Sequence, residues 1–156
     1  MPFTPDWVIP SEIAVGPAPR KIEHFEILYS KKIKSILSLC SLEEASPPED
    51  LLSKFDCRRV VLPDHSYERN ITQEDILNTL NILEELKTKR ATYIHCFAGV
   101  ERSPLICIGW LMKTKNLPFD TALDFLMQAH PGTNPLPKQI KVLKEINFQK
   151  NFDKFL

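Results

Sequence analysis

A cysteine, an arginine and a hydroxyl stand together in His95-Cys96-Phe97-Ala98-Gly99-Val100-Glu101-Arg102-Ser103, with five residues between the cysteine and the arginine. These residue types suit one chemistry: holding a phosphate dianion against a thiolate. Successive N–H groups of such a loop can turn inward and make an anion nest. A helix starting behind the loop adds unsatisfied donors and the positive end of its dipole. Gly99 allows a positive φ or a close approach to an oxygen. Arg102 offers a planar fork for two phosphate oxygens. The same field favours thiolate over thiol at Cys96, and the thiolate is the nucleophile. Ser103 is placed to hydrogen-bond the sulfur and ease its later departure. His95 is expected to point back and order the loop from behind. Phe97, Ala98, Gly99, Val100, Glu101 and Arg102 form the expected phosphate-binding set. A lone cysteine at a strand end packs as a small hydrophobe. The company of Gly99, Arg102 and Ser103 makes this one a candidate nucleophile.

The loop must hang between a strand and a helix, and the sequence supplies both. Ala91-Thr92-Tyr93-Ile94 is an apolar strand, and Leu105, Ile106, Ile108, Trp110 and Leu111 continue a helix from near Arg102. Elsewhere strands alternate with helices, which predicts an α/β fold with a central, mostly parallel sheet flanked by helices. Residues 7–9 and 13–15 read as short leading strands, 22–29 as a helix behind two prolines, 34–39 as a central strand and 57–62 as the next. Residues 41–54 are irregular or helical, interrupted by Pro47-Pro48. Thr72 reads as an N-cap followed by acidic first-turn residues, and Ile76, Leu77, Leu80, Leu83 and Leu86 make an apolar stripe at helical spacing. Residues 119–129 form another amphipathic helix whose Leu123, Phe125, Leu126 and Met127 are expected in the core. A loop from His130 to Pro137 leads to a last helix holding Ile140, Val142, Leu143 and Ile146. Residues 148–156 are a loose tail or dock through Phe152 and Phe155.

The 156 residues are expected to form one domain, with a core that needs no staples. Twenty basic and twenty acidic residues leave no net charge, so nothing announces nucleic acid. The basic runs Lys31-Lys32-Ile33-Lys34 and Lys87-Thr88-Lys89-Arg90 read as solvated ends of elements. No stretch is apolar and long enough to span a bilayer. The start lacks a signal peptide's order, so Asn70-Ile71-Thr72 carries no meaning as a sequon and the expected location is cytoplasmic. Four scattered histidines and no Cys-x-x-Cys pair give no metal site, and no cofactor is expected. Cys57 and Cys107 are expected as buried apolar residues.

The run around Cys96 resembles the HCxxGxxR(S/T) signature of the cysteine-dependent phosphatases, and HCFAGVERSPLICIGWLM is most similar to their dual-specificity branch. The resemblance extends over about residues 7–143. It implies a proton donor for the leaving oxygen on a loop some thirty residues before the cysteine. Asp64 of Arg59-Val60-Val61-Leu62-Pro63-Asp64 lies thirty-two residues before Cys96 and opens a loop where a strand over 60–62 ends at Pro63. Such C-terminal strand edges collect the sites of α/β sheets. Glu68 and Asp75 are the fallback donors, although Asp75 suits the first turn of the following helix. The implied reaction has two steps. Cys96 attacks phosphorus while Asp64 protonates the leaving oxygen. Asp64 then activates water to hydrolyse the phosphocysteine while Ser103 supports the departing thiolate.

The partners implied are phosphorylated proteins. Tyrosine-only relatives resemble larger domains with a deeper pocket, so a chain of this length is expected to accept phosphoserine and phosphothreonine as well as phosphotyrosine. Ser38-Leu39-Cys40 and Pro63-Asp64-His65 resemble segments of the tensin-type lipid phosphatases, and a phosphoinositide phosphatase is the alternative. Against it, Phe97, Ala98, Val100 and Glu101 include no lysine for a polyanionic headgroup. Glu101 either faces the rim or serves the helix dipole. A non-catalytic phosphate-binding module is the third reading, although cysteine, arginine and acid are all present. The family's common Arg-Pro and asparagine are replaced by His130-Pro131 and Leu136; His130 is either a weaker brace near the site or a surface loop residue, the latter favoured. If the strands ending at Cys40 and Cys96 are adjacent and parallel, the two thiols share one sheet edge. A reversible Cys40–Cys96 disulfide under peroxide is then expected, with Cys40 as plain core the alternative.

Overall fold

The computed structural model describes residues 2–48, 52–88 and 90–149. Period-two alternation builds the sheet. The strands are β1 (Asp6–Ile9), β2 (Ile13–Gly16), β3 (Ile33–Ser38), β4 (Asp56–Arg59) and β5 (Ala91–His95). They lie in the order β1-β2-β5-β3-β4, with β1 antiparallel to β2 and every other pair parallel. Helix α1 (Ile22–Ser30) covers one face; α2 (Gln73–Lys87), α3 (Arg102–Lys115), α4 (Phe119–Ala129) and α5 (Pro137–Lys144) gather against the other. Ala14, Ile36 and Tyr93 meet Phe25 and Leu28 of α1. Their strand neighbours Ile13, Val15, Leu37 and Ile94 meet Leu80, Leu83, Leu105 and Ile108 on the opposite face. A buried side chain of this size stabilises by about 1.5–3 kcal/mol relative to exposure.

Local chemistry sets the helix ends. The Thr72 hydroxyl accepts from the Asp75 amide and the Asp75 carboxylate accepts from the Thr72 amide, a capping box that starts α2 as expected. Helix α3 stops at Asn116, in the left-handed conformation asparagine tolerates.

Three expectations need correction. Strand β4 ends at Arg59, so Val60-Val61-Leu62 is not strand; it stays extended because the Val60 and Leu62 amides donate to the Ser38 and Leu39 carbonyls. Residues 41–54 are irregular, in keeping with the expectation; among the described residues their only regular piece is a 3-10 turn at Leu52–Lys54. Leu126 is buried, but Phe125 and Met127 are 46% and 44% exposed, because they lie off the face that α4 turns to α3. Cys57 is half-buried rather than core, since β4 is an edge strand. Phe152 and Phe155, through which the tail was expected to dock, lie outside the described residues, while Phe148 packs against the main core. Among the described residues no helix is long and apolar enough to cross a membrane.

Candidate active site

Strand β5 ends at His95 and α3 begins at Arg102, so residues 96–101 form a loop at the C-terminal edge of the sheet. Gly99 has φ +74°, and a Cβ there would stand 2.6 Å from the Gly16 carbonyl carbon. Both conformation and space therefore demand glycine. Four loop carbonyls are taken by donors outside the pocket. Cys96 O accepts from His95 Nδ1 at 2.9 Å, Phe97 O from the Ala18 amide at 3.0 Å, Gly99 O from His130 Nε2 at 2.6 Å and Val100 O from the Asn134 amide at 2.9 Å. In a trans peptide the next N–H points the opposite way. Engaging the carbonyls outward thus turns loop amides toward one point, the nest an anion needs.

His130 overturns the surface-loop expectation. It is 8% exposed and bridges Gly99 O to Asp6 Oδ2, each at 2.6 Å. The residue ties β1 to the phosphate loop, a buried brace rather than a solvated side chain.

Cys96 is 2% exposed, and its Sγ lies 3.3 Å from Ser103 Oγ. Behind it, His95 donates from Nδ1 to Cys96 O and accepts at Nε2 from Ser38 Oγ at 2.7 Å. Burial pulls the His95 pKa down to about 4, so the ring is neutral and the pattern of one donor and one acceptor is fixed. His95 thus points back as expected. Cys40 is fully buried two residues past the end of the neighbouring strand β3, with Sγ 4.0 Å from His95 Nδ1. Burial raises its thiol pKa, and Arg59 and Arg102 partly offset that.

Arg102 is the largest side chain among those fully buried. Nη1 donates to Leu62 O at 3.0 Å, and Nη1 and Nη2 grip Glu44 Oε2 and Oε1 at 3.2 and 2.7 Å. Nε is one of two buried side-chain polar atoms without a partner among the described residues. Burial pushes the Glu44 carboxyl up, but the Arg102 fork, the Ser41 amide and Tyr67 hold it down at about 2. A depressed carboxyl stabilises fully above its ordinary value of roughly 4.3 and loses that contribution as pH falls toward its folded value. Glu44→Gln is expected to lower kcat/KM about tenfold, by loosening the fork. It also lowers the melting temperature at pH 7, with the difference from wild type shrinking as pH approaches 2. Calorimetry across pH beside steady-state kinetics checks both.

Asp64 stands across the pocket. Its Oδ1 accepts from the Ser66 amide at 2.8 Å and Oγ at 2.5 Å; Oδ2 lies 3.7 Å from Arg102 Nη2 and 3.9 Å from His65 Nδ1. Burial raises its pKa, but the two Ser66 bonds and the Arg102 and His65 charges outweigh burial and hold it below the ordinary value. Glu101 makes no cap hydrogen bond to α3. Its carboxylate instead takes His65 Nδ1 at 2.6 Å and Gln139 Nε2 at 3.2 Å, tying the Asp64 loop to the phosphate loop and α5. That bond and the neighbouring carboxylates raise the His65 pKa. Cys96, Phe97, Ala98, Val100, Arg102 and Asp64 line a cavity of about 70 Å³, with His65 and Glu101 at the same opening. Phe97 is 43% exposed, with the Arg20 guanidinium 4.2 Å from its ring centre. Asp75 belongs to α2, where Arg69 takes its carboxylate at 2.8 Å, and neither it nor Glu68 lines this cavity. Among the described residues no cluster of three metal-ligating side chains occurs.

The structure thus brings Cys96, Ser103, Arg102, Asp64 and residues 97–101 together. Glu44, Asp6, Asn134 and Gln139 were not foreseen. Glu44 lay in a segment without periodicity, and Asp6 acts through a partner 124 residues away. Only the sequence Ser41-Leu42-Glu43-Glu44 carried a hint, as a serine followed three residues later by an acid that closes a turn on it.

A family model for the dual specificity phosphatase catalytic domain matches residues 21–149. Dual specificity protein phosphatase 19 of Mus musculus is 29% identical over 125 residues, which are 76% of this chain and 52% of that protein. The phosphatidylglycerophosphate phosphatase PTPMT2 of Arabidopsis thaliana is 24% identical over 116 residues, 74% of this chain and 51% of that protein. A 36% identical stretch of 75 residues matches a probable dual specificity protein phosphatase of Dictyostelium discoideum, covering 47% of this chain and 19% of that one. The chain therefore spans about half the length, or less, of these curated relatives. Among solved structures, Tk-PTP in its active form superposes with a TM-score of 0.78 at 23% identity, covering 94% of this chain and 96% of that one. PTPMT1 in complex with PI(5)P gives 0.78 at 16% identity, covering 95% and 96%. At these identities the two structures establish the shared fold.

Proposed function

The chain belongs to the dual specificity phosphatase catalytic-domain family, and from that premise we propose that it is a single catalytic domain that hydrolyses phosphomonoesters of tyrosine, serine and threonine in proteins through a phosphocysteine. The observation that carries the reading is the Arg102 guanidinium. It is 2% exposed, fixed at both terminal nitrogens, left with an unpartnered Nε–H among the described residues, and lines the same cavity as Cys96. An anion with oxygens at that point satisfies the orphaned donor, whose burial alone costs about 1–3 kcal/mol.

The Cys96 thiolate attacks phosphorus in line, and the bond from phosphorus to the leaving oxygen breaks. Asp64 gives that oxygen its proton. Arg102 and the loop amides hold the remaining phosphoryl oxygens, where charge gathers. In the second step Asp64, now a carboxylate, takes a proton from water. The water oxygen bonds to phosphorus and the S–P bond breaks, with Ser103 donating to the sulfur that leaves as thiolate. The small volume of the cavity, about 70 Å³, is in keeping with acceptance of phosphoserine and phosphothreonine beside phosphotyrosine, because a site of this size does not demand a ring. The kinship with a phosphatidylglycerophosphate phosphatase gives a lipid reading some support. Side chains 97–101 offer no cation to a second phosphate, and Glu101 adds an acid, which favours the protein reading. None of the four cysteines is in a disulfide, and a thiolate enzyme suits the reducing cytoplasm.

The test is turnover of phosphotyrosine, phosphothreonine and phosphoserine peptides against phosphoinositides and phosphatidylglycerophosphate. Peptide turnover above lipid turnover is expected. The reverse order gives the lipid reading the place, and binding of phosphate analogues without turnover makes the chain a non-catalytic module.

Cys40 extends the reading to oxidation. Strand β3 pairs with β5 in parallel, with Ser38 opposite His95, which supports a shared edge for the next residues. Peroxide oxidises the Cys96 thiolate to sulfenic acid; the Cys40 thiol then forms the S–S bond and water leaves. Mass spectrometry of alkylated protein after peroxide is expected to find the Cys40–Cys96 linkage, reversed by dithiothreitol. Cys96 recovered only as sulfinic acid excludes the pairing.

A further inference from the structure

Two concave surfaces of several hundred Å³ lie away from the catalytic pocket. Parallel pairing of β3 with β5 sets Ile33 opposite Ala91. It therefore joins two basic runs that are far apart in sequence. Lys32, Lys34 and Arg90 line one basin of about 640 Å³ with Tyr29. All three cations are exposed, and among the described residues none has an ion-pair partner. Lys32 has φ +63°, a left-handed conformation that local preference gives to glycine or asparagine. Tyr29, 61% exposed, is also a wall of a second groove of about 570 Å³. That groove is built on Ile22, Phe25, Tyr29 and Phe55, with Glu26 and Lys54 as its charged residues. Ile22 is 55% exposed. On α1, Ile22, Phe25, Glu26 and Tyr29 follow helical spacing and share one side.

We propose that this composite surface docks an extended segment of a partner protein, one that places a bulky apolar side chain in the Ile22–Phe55 groove and carboxylates in the Lys32–Lys34–Arg90 basin. Charge complementarity gives the acidic half: three cations face solvent, and among the described residues no carboxylate pairs with them. The contiguous groove gives the apolar half. Both halves are concave, which suits a narrow strand of chain better than the broad surface of a bilayer. Glu26 lies where a nucleic acid or another ligand of continuous negative charge would run on, and repels it. The basin sits at the starts of β3 and β5, whereas Cys96 follows the end of β5. Six residues of β3 at about 3.3 Å each separate the two ends by roughly 20 Å. A docked segment leaves the pocket open, and one that also carries a phosphorylated side chain raises its effective concentration there.

The probe is a fluorescent, unphosphorylated peptide with three glutamates on either side of one leucine, and a second with serine in place of the leucine. Anisotropy is expected to show salt-sensitive binding of the leucine peptide. The doubly reversed protein, Lys34→Glu with Arg90→Glu, weakens it roughly tenfold, the scale expected when two exposed ionic contacts become repulsive. Tyr29→Ala and Ile22→Ser abolish the preference for leucine over serine. All these side chains are exposed, and hydrolysis of para-nitrophenyl phosphate stays at the wild-type rate in each variant. Four results overturn the proposal: no binding of the leucine peptide, binding indifferent to the charge reversal, displacement of the peptide by tungstate, or capture by phosphatidylserine vesicles or an oligonucleotide with no capture by peptide. Each leaves the catalytic reading standing, because none measures turnover.

Discussion

Cys96→Ser is expected to remove turnover of every phosphomonoester, by at least ~10⁴-fold, the scale seen when a covalent nucleophile is deleted, while binding of tungstate to the pocket persists. The two halves of this outcome rest on different atoms. An alcohol in place of the thiol is not ionised near neutral pH, and His95 cannot serve it as a base, since that ring is turned away toward Ser38 and its own loop. The anion site survives because the substitution leaves its supports alone. Gly99 keeps its φ, the loop carbonyls keep Ala18, His130 and Asn134, and Arg102 keeps Glu44 and Leu62. Serine is only slightly smaller than cysteine, so Ser103 3.3 Å away needs little adjustment. Phosphate release and isothermal titration with tungstate on the same preparation separate the functions. Retained turnover would mean that another group attacks phosphorus; lost tungstate binding would mean that the thiol is structural.

The legibility of this site in the sequence follows from the distance over which each part acts. The phosphate loop is one contiguous run, and its strand, turn glycine and helix start lie within about twenty residues of Cys96. Local rules therefore reached Cys96, Gly99, Arg102 and Ser103. The same holds for α2, whose cap at Thr72 and stripe through Leu86 are short-range features. The braces are long-range. Glu44 meets Arg102 across 58 positions and Asp6 meets His130 across 124. No periodicity marks either residue, because each serves a contact that exists only after the sheet has ordered its strands. The buried place of His130 is hidden from the sequence for the same reason: its two partners come from β1 and from the loop after β5. Phe125 and Met127 failed differently. Four apolar residues within five positions cannot all lie on one side of a helix, so a cluster was mistaken for a stripe.

Asp64→Asn is expected to cut turnover of phosphoserine and phosphothreonine peptides by ~10²–10⁴-fold, the range for loss of a general acid, with a smaller loss for para-nitrophenyl phosphate. The difference comes from the leaving group. A serine alkoxide cannot depart without a proton, whereas para-nitrophenolate carries its charge well. Asparagine keeps an acceptor for the Ser66 amide and hydroxyl, so the loop fold that rests on those bonds at 2.8 and 2.5 Å is retained. The pH profile sharpens the test. Ser66, Arg102 and His65 hold the Asp64 carboxyl below its ordinary value against the pull of burial. The protonated form that serves as acid is then abundant in the free enzyme only at low pH, so kcat/KM falls as pH rises through that depressed value. The bound phosphoryl dianion opposes the Arg102 charge and raises the same carboxyl, so kcat holds to higher pH than kcat/KM. In Asp64→Asn the low-pH descending limb of kcat/KM disappears. A limb that survives the substitution assigns the proton to another donor, and Glu101, 2.6 Å from His65 at the same opening, is then the carboxylate to replace next.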